Sequence, residues 1–160
     1  MRDKDAVVAS MLICEMVAFY KEQGLTLVEV LEGIYKKYGY YFASQKNFTF
    51  EGESGMKKIA SILNNLRTAP PSDICGIKVS QIDDYEKSET LFTIDNSTKE
   101  ILLPKSNVIC FKLADGSSFI ARPSGTEPKI KFYLSAVAET KEACKEKLTQ
   151  LEDTCNEFIK

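Results

Sequence analysis

The chain has 160 residues, 21 Lys and Arg against 23 Asp and Glu for a net charge of −2, and 44% hydrophobic residues. That is enough apolar material for a folded body without disulfides or a structural metal. The acidic balance, with no run of Lys or Arg, argues against capture of nucleic acid on a basic face, and the absence of histidine excludes Ser-His and Cys-His pairs, His-containing zinc sites and imidazole acid–base chemistry.

From Ala6 to Tyr20 only Ser10 and Glu15 are polar, which predicts a helix apolar on nearly every side. It is shorter than the roughly 20 residues a membrane span needs. The leader Arg2-Asp3-Lys4-Asp5 has no net charge, and no A-x-A cleavage site follows. No membrane role is expected, and a cytoplasmic location is. A helix of this kind belongs inside a larger body, so left uncovered, residues 6–20 are expected to promote self-association. Gly24 ends it. A second helix starts at Thr26, which forms a capping box with Glu29, and runs to about Tyr38 before Gly39. Tyr40 to Phe50 then alternates as a strand, placing a domain boundary near residue 39.

Ser54 is placed to cap a third helix with an apolar stripe of Met56, Ile59, Ala60, Leu63 and Leu66, which Pro70-Pro71 ends. Ile77 to Ile82 reads as a short strand, and the acidic stretch 83–105 as a surface excursion with a small hairpin near Asn96-Ser97-Thr98. Asp115-Gly116 marks a hairpin between Val108–Leu113 and Ser118–Ala121. Lys129 to Val137 is a further strand, and Thr140 caps a last helix with Cys144, Leu148, Leu151, Cys155 and Phe158 along one face. The expected fold class is α+β, an antiparallel sheet with two helices, preceded by two more helices. The five cysteines, Cys14, Cys75, Cys110, Cys144 and Cys155, contain no C-x-x-C and read as reduced apolar packing residues.

One segment concentrates anion chemistry. In Arg122-Pro123-Ser124-Gly125-Thr126-Glu127-Pro128-Lys129 a guanidinium offers a planar fork to phosphate oxygens, two hydroxyls can donate to others, and glycine allows close backbone approach. Lys129 adds a point charge, and the prolines restrict the loop. The plainer reading is a Gly/Pro connection between two strands, with a solvated Arg and Lys and with Glu127 neutralising one of them. Neither G-x-x-x-x-G-K-[ST] nor G-x-G-x-x-G occurs elsewhere, so a nucleotide site has no support.

The run R-P-S-G-T-E-P-K-I-K-F-Y from Arg122 to Tyr133 closely resembles the C-terminal phosphate-binding loop of the phosphoglucomutase/phosphomannomutase family, the α-D-phosphohexomutases. Leu103-Pro104-Lys105-Ser106-Asn107-Val108, Leu113-Ala114-Asp115-Gly116-Ser117 and Arg2-Asp3-Lys4-Asp5 before the apolar helix support it. So does Ile34-Tyr35-Lys36-Lys37-Tyr38-Gly39-Tyr40, which resembles the family's passage out of its third domain.

The resemblance implies that residues 1–39 are the terminal helices of the third domain of a four-domain enzyme. Residues 40–160 would form its fourth domain, with a TATA-binding-protein-like sheet. Similar full-length enzymes move phosphate between C1 and C6 of a hexose through a phosphoserine and a hexose 1,6-bisphosphate, with Mg2+. The fourth-domain loop holds the phosphate that is not being transferred, and its movement closes the cleft. Carried over, Arg122, Ser124, Gly125 and Thr126 grip phosphate with Lys129 beside them, and Lys4 stands where some relatives contact substrate.

The expected partners are a sugar phosphate and the remaining domains of such an enzyme, with no nucleic acid. The family's serine motif and D-x-D-x-D magnesium loop are missing from these residues. The chain contributes no catalytic or metal residue on this reading, and is expected to be inactive alone. Gly52-Glu53-Ser54-Gly55 superficially resembles the family's sugar-reading loop, but it follows the third-domain exit and precedes an amphipathic helix, so it reads as helix capping; the sugar-reading loop is expected upstream of residue 1. The alternative is a free-standing phosphate- or sugar-phosphate-binding module without catalysis. A nucleic-acid-binding domain would rest on topology alone, which does not confer function.

Overall fold

The computed structural model describes residues 5–159, which fall into two compact units that divide between Gly39 and Tyr40. The first unit is a pair of helices. Asp5 caps α1 (Ala6–Glu22) by accepting from the Val8 amide at 3.0 Å. At the other end Gly24 takes a left-handed φ of 73°; its N–H reaches Lys21 O, and Leu25 N–H reaches Tyr20 O, both at 3.0 Å. This Schellman pairing satisfies two terminal carbonyls. In α2 (Leu27–Tyr38) the expected capping box is present: Thr26 Oγ1 accepts from the Glu29 amide, and the Glu29 carboxylate accepts from the Thr26 amide at 2.8 Å. That bond, and the one from the Thr26 hydroxyl, hold the Glu29 carboxyl below its ordinary range. The apolar α1 suits a larger body, and with only α2 in its unit no side chain of either helix is buried. Val7, Met11, Leu12, Ile13 and Phe19 are each more than half exposed.

The second unit runs β1 (Tyr40–Thr49), α3 (Gly52–Thr68), β2 (Asp73–Ile74), β3 (Ile77–Asp84), β4 (Glu89–Phe92), β5 (Thr98–Glu100), β6 (Ile109–Leu113), β7 (Ser118–Pro123), β8 (Lys129–Ala138) and α4 (Lys141–Phe158). The strands form one sheet in the order β1-β8-β7-β6-β3-β4-β5, with β2 paired to β3, and every pairing is antiparallel. This is the α+β fold expected, with α3 and α4 on the sheet.

Alternation along the strands sends one set of side chains to the helices. Ile130, Phe132, Leu134 and Ala136 of β8, Phe119 and Ala121 of β7 and Phe111 of β6 are buried there against Ile59, Leu63 and Leu66 of α3 and Cys144, Leu151 and Cys155 of α4. Phe119 lies edge-on to Phe158 at 5.3 Å and tilted to Phe132 at 5.2 Å. Arg67, at the end of α3, adds a polar anchor. Its Nε reaches Asp84 Oδ1 at 3.2 Å, while Nη1 and Nη2 reach Glu86 and Asn107 at 2.7 Å.

Several local expectations change. Helix α3 begins at Gly52 with Glu51 as its flanking residue, and no side chain caps it; Ser54 lies inside the first turn and donates to Glu51 O. Its inward stripe is Gly55, Ile59, Ile62, Leu63 and Leu66, with Met56 and Ala60 exposed. The stripe shifts because Gly55 packs on Phe50, in the short connection between β1 and α3: a Cβ there would stand 2.7 Å from Phe50 Cβ and 2.8 Å from its carbonyl carbon. Strand β2 was unforeseen and comes from a tight turn in which Cys75 and Gly76 both have positive φ. The small hairpin expected near Asn96-Ser97-Thr98 is present as β4 and β5, which join the sheet as its edge. Cys110, Cys144 and Cys155 pack as expected, while Cys14 is exposed and Cys75 half-buried.

Candidate functional site

The resembling loop lies at the β7–β8 hairpin. Ile130 and Phe132 turn toward the helices, which leaves Lys129 and Lys131 on the opposite face of β8. On β7 the buried Phe119 and Ala121 do the same for Arg122. The register sets Arg122 opposite Lys131, and Lys131 opposite Asn47 of β1. Three adjacent strands therefore carry a guanidinium, an ammonium and an amide along one rung of the helix-free face.

The sequence places Arg122 in a loop, whereas it belongs to the strand. Arg122 and Pro123 end β7 and Lys129 begins β8, so only Ser124 to Pro128 are irregular. Pairing continues to Arg122 because alternation buries its neighbour Ala121 completely. Two bonds of 2.7 Å close the connection, from Ser124 N–H to Lys129 O and from Lys129 N–H to Glu127 O. A third, from Phe50 N–H to Pro128 O at 2.9 Å, ties it to the chain just before α3.

Arg122, Gly125, Thr126 and Glu127 are exposed, while Ser124 and Lys129 are half-buried. Among the described residues, the side chains of Arg122, Ser124 and Thr126 have no hydrogen-bond or ion-pair partner. Lys129 Nζ instead contacts Glu127 Oε2 at 2.9 Å. That hydrogen bond, together with the charges of Lys129 and then Lys131, holds the Glu127 carboxyl below its ordinary range. At Gly125, φ is not in the left-handed region, and a Cβ would meet no other atom within 4 Å. The chain's own packing does not demand glycine there.

The structure brings Arg122, Ser124, Gly125, Thr126 and Lys129 into one continuous hairpin end, and Lys4 lies outside the described residues. Lys131, which the sequence reading leaves as an ordinary strand residue, joins them through register. A period-two count from Lys129 puts it on the same face, but its proximity to Arg122 depends on the pairing. Such a surface can bind an anion with a bidentate guanidinium, one or two ammonium groups and neutral donors. Among the described residues, no three Asp, Glu or Cys side chains are placed to hold a metal ion.

No family model matches the chain. A phosphoglucomutase of Staphylococcus saprophyticus is 42% identical over 139 residues, which is 86% of this chain and 25% of that protein. A phosphoglucomutase of Staphylococcus aureus (strain MRSA252) is 46% identical over 135 residues, 84% of this chain and 24% of that protein. The chain thus spans about a quarter of the length of these curated relatives. The crystal structure of the exocytosis-sensitive phosphoprotein pp63/parafusin, a phosphoglucomutase from Paramecium in its open form, superposes with a TM-score of 0.63. It has 18% identity to this chain and covers 98% of it and 27% of the solved chain; at that identity the likeness speaks for the fold. With the relatives' extended identity and this shared fold, the chain belongs to the phosphoglucomutase/phosphomannomutase family, as a C-terminal portion.

Proposed function

We propose that this chain supplies the part of a hexose-phosphate mutase that holds the substrate's non-transferred phosphate and closes over the bound sugar. The observation that carries the reading is the pairing of Arg122 with Lys131 on one sheet face, beside unpartnered Ser124 and Thr126 hydroxyls. Arg122 takes two phosphate oxygens through its fork, and Lys131 neutralises charge from the neighbouring strand. The hydroxyls of Ser124 and Thr126 and the amide of Gly125 donate to the remaining oxygens.

Residues up to Gly39 are, on this reading, helices of the preceding domain, and residues from Tyr40 onward the phosphate-holding domain. On the same reading, the phosphoserine, the Mg2+ site and the sugar-reading loop would belong to parts of such an enzyme outside these 160 residues. The 160-residue chain alone is therefore expected to bind phosphate without interconverting hexose phosphates. The relatives' name favours glucose phosphates as substrate. A cytoplasmic location accords with this metabolic role, and among the described residues no helix is long and apolar enough to cross a membrane.

The test is an NMR titration of the labelled chain with glucose 1-phosphate, inorganic phosphate and glucose. Amide shifts confined to residues 122–131, common to both phosphate ligands and absent with glucose, are expected. Equal shifts with glucose, or none with either phosphate up to tens of millimolar, would reject phosphate holding by this chain on its own.

A further inference from the structure

The loop contains its own anion. Glu127 lies two residues before Lys129 in a connection fixed by the Ser124–Lys129 and Lys129–Glu127 backbone bonds, and its carboxylate contacts the Lys129 ammonium at 2.9 Å. The Glu127 side chain is 59% exposed and that of Lys129 27%. The carboxylate thus approaches from solvent and sits where an incoming anion would meet Lys129.

Of the cations on this hairpin end, Arg122 and Lys131 have no ion-pair partner among the described residues, and Lys129 has Glu127. A phosphate gripped by Arg122 would enter a field that already contains a negative charge. Either the dianion tolerates Glu127 beside it, or Lys129 exchanges the carboxylate for phosphate oxygens.

We infer that Glu127 is a built-in competitor for Lys129, which phosphate displaces on binding and which returns when phosphate leaves. This regulates the site assigned above and rests on that assignment. Exchange of one anion for another on the same ammonium keeps the charge on Lys129 compensated in both states. Phosphate gains a cation and Glu127 is released to water. The cost of separating an exposed carboxylate from a half-buried ammonium that phosphate then compensates is small, so the device lowers affinity modestly and favours release. Its sign is opposite to that of a purely structural pair: removal of the Glu127 charge strengthens binding.

The test titrates the 160-residue chain and its Glu127→Gln, Lys129→Gln and Arg122→Ala variants with inorganic phosphate at constant ionic strength, reading the amides of residues 122–131. Glu127→Gln is expected to bind about two- to fivefold more tightly, the factor that corresponds to releasing a partly exposed ion pair. Lys129→Gln is expected to weaken binding, and the Glu127→Gln change added to it to give less improvement than it gives alone, because there is no longer an ammonium to release.

On the unmodified chain, the Glu127 side-chain pKa, followed through its carboxyl carbon, is expected to rise when phosphate is bound because Lys129 has left it. Equal or weaker binding by Glu127→Gln, or an unmoved Glu127 pKa at saturating phosphate, overturns the inference; if Arg122→Ala still abolishes binding, phosphate holding stands without it. No response of the unmodified chain to phosphate removes both.

Discussion

Arg122 and Lys131 face each other across the β7–β8 pair, on the side of the sheet turned away from α3 and α4. Two like charges directly opposite on a sheet repel, and neither has an ion-pair partner among the described residues. An anion between them relieves this repulsion. Arg122→Ala is expected to weaken phosphate binding by about 1.5–3 kcal/mol, the range for a hydrogen bond to a charged group. Lys131→Gln should lose less, because an ammonium provides no bidentate fork. Chemical-shift titration of both variants checks the order, and unchanged affinity in Arg122→Ala would remove this rung from the site.

Gly125 separates ligand requirements from packing requirements. Its backbone is not left-handed and an added Cβ meets nothing, so Gly125→Ala should leave stability unchanged or raise it by up to about 1 kcal/mol by restricting the unfolded chain. If phosphate is held against the Gly125 amide, the same methyl obstructs it and binding weakens. Thermal unfolding and a phosphate titration on one sample check both halves; unweakened binding would show that the ligand does not approach there.

Gly55 is the opposite case. A Cβ at this position would overlap Phe50, including its backbone carbonyl carbon and oxygen at 2.8 and 2.9 Å. Gly55→Ala is therefore expected to destabilise the fold by about 1–3 kcal/mol, as overpacking does, although Ala is otherwise the better helix former. Because Phe50 N–H bonds Pro128 O, the displacement should also shift the amides of the phosphate loop. Urea unfolding measures the first effect and NMR the second.

These two glycines also show how far the sequence could be read. The capping residues Thr26 and Thr140 and the hairpin at Asp115-Gly116 follow local rules, and the structure has all three. The start of α3 does not, because the Ser54 capping signal competes with a tertiary demand, the approach of Gly55 to Phe50, which no local pattern encodes. Strand β2 is two residues long and depends on a left-handed cysteine, Cys75, a residue that rarely marks a turn. At the site, the R-P-S-G-T-E-P run was legible as anion chemistry, but Lys131 was not. Its place beside Arg122 follows from the register, which the five-residue connection sets.

The hairpin before the site carries a pH-dependent tie. Burial raises the pKa of Asp115, but the Lys147 hydrogen bond, the bonds from Ser117 and the Lys147 charge outweigh it, so the carboxyl lies below its ordinary 3.8. The folded state thus favours the ionised form. The stabilisation is complete above the unfolded value and lost as pH falls through the lower folded value. Asp115→Asn should cost about 0.5–1.5 kcal/mol at neutral pH, and the difference from the unmodified chain should shrink below pH ~3. Urea unfolding of both proteins at the two pH values checks this; an equal difference at both would assign the effect to geometry rather than charge.

Helix α1 exposes apolar side chains along its length. Met11 and Leu12 are 67% and 59% exposed, alongside Val7, Ile13 and Phe19, on a helix whose only ionisable residues before Lys21 are Cys14, Glu15 and Tyr20. Contiguous apolar surface of this kind drives contact between molecules, since its burial is worth about 25 cal/mol per Å². The 160-residue chain is therefore expected to sediment as a concentration-dependent mixture of monomer and larger species. Met11→Lys with Leu12→Lys should return it to monomer, because association would then have to bury two ammonium groups. The phosphate response of residues 122–131 should survive in that double variant, since the substituted side chains belong to the other unit. A chain that stays monomeric at high concentration without these substitutions would show that α1 does not drive association.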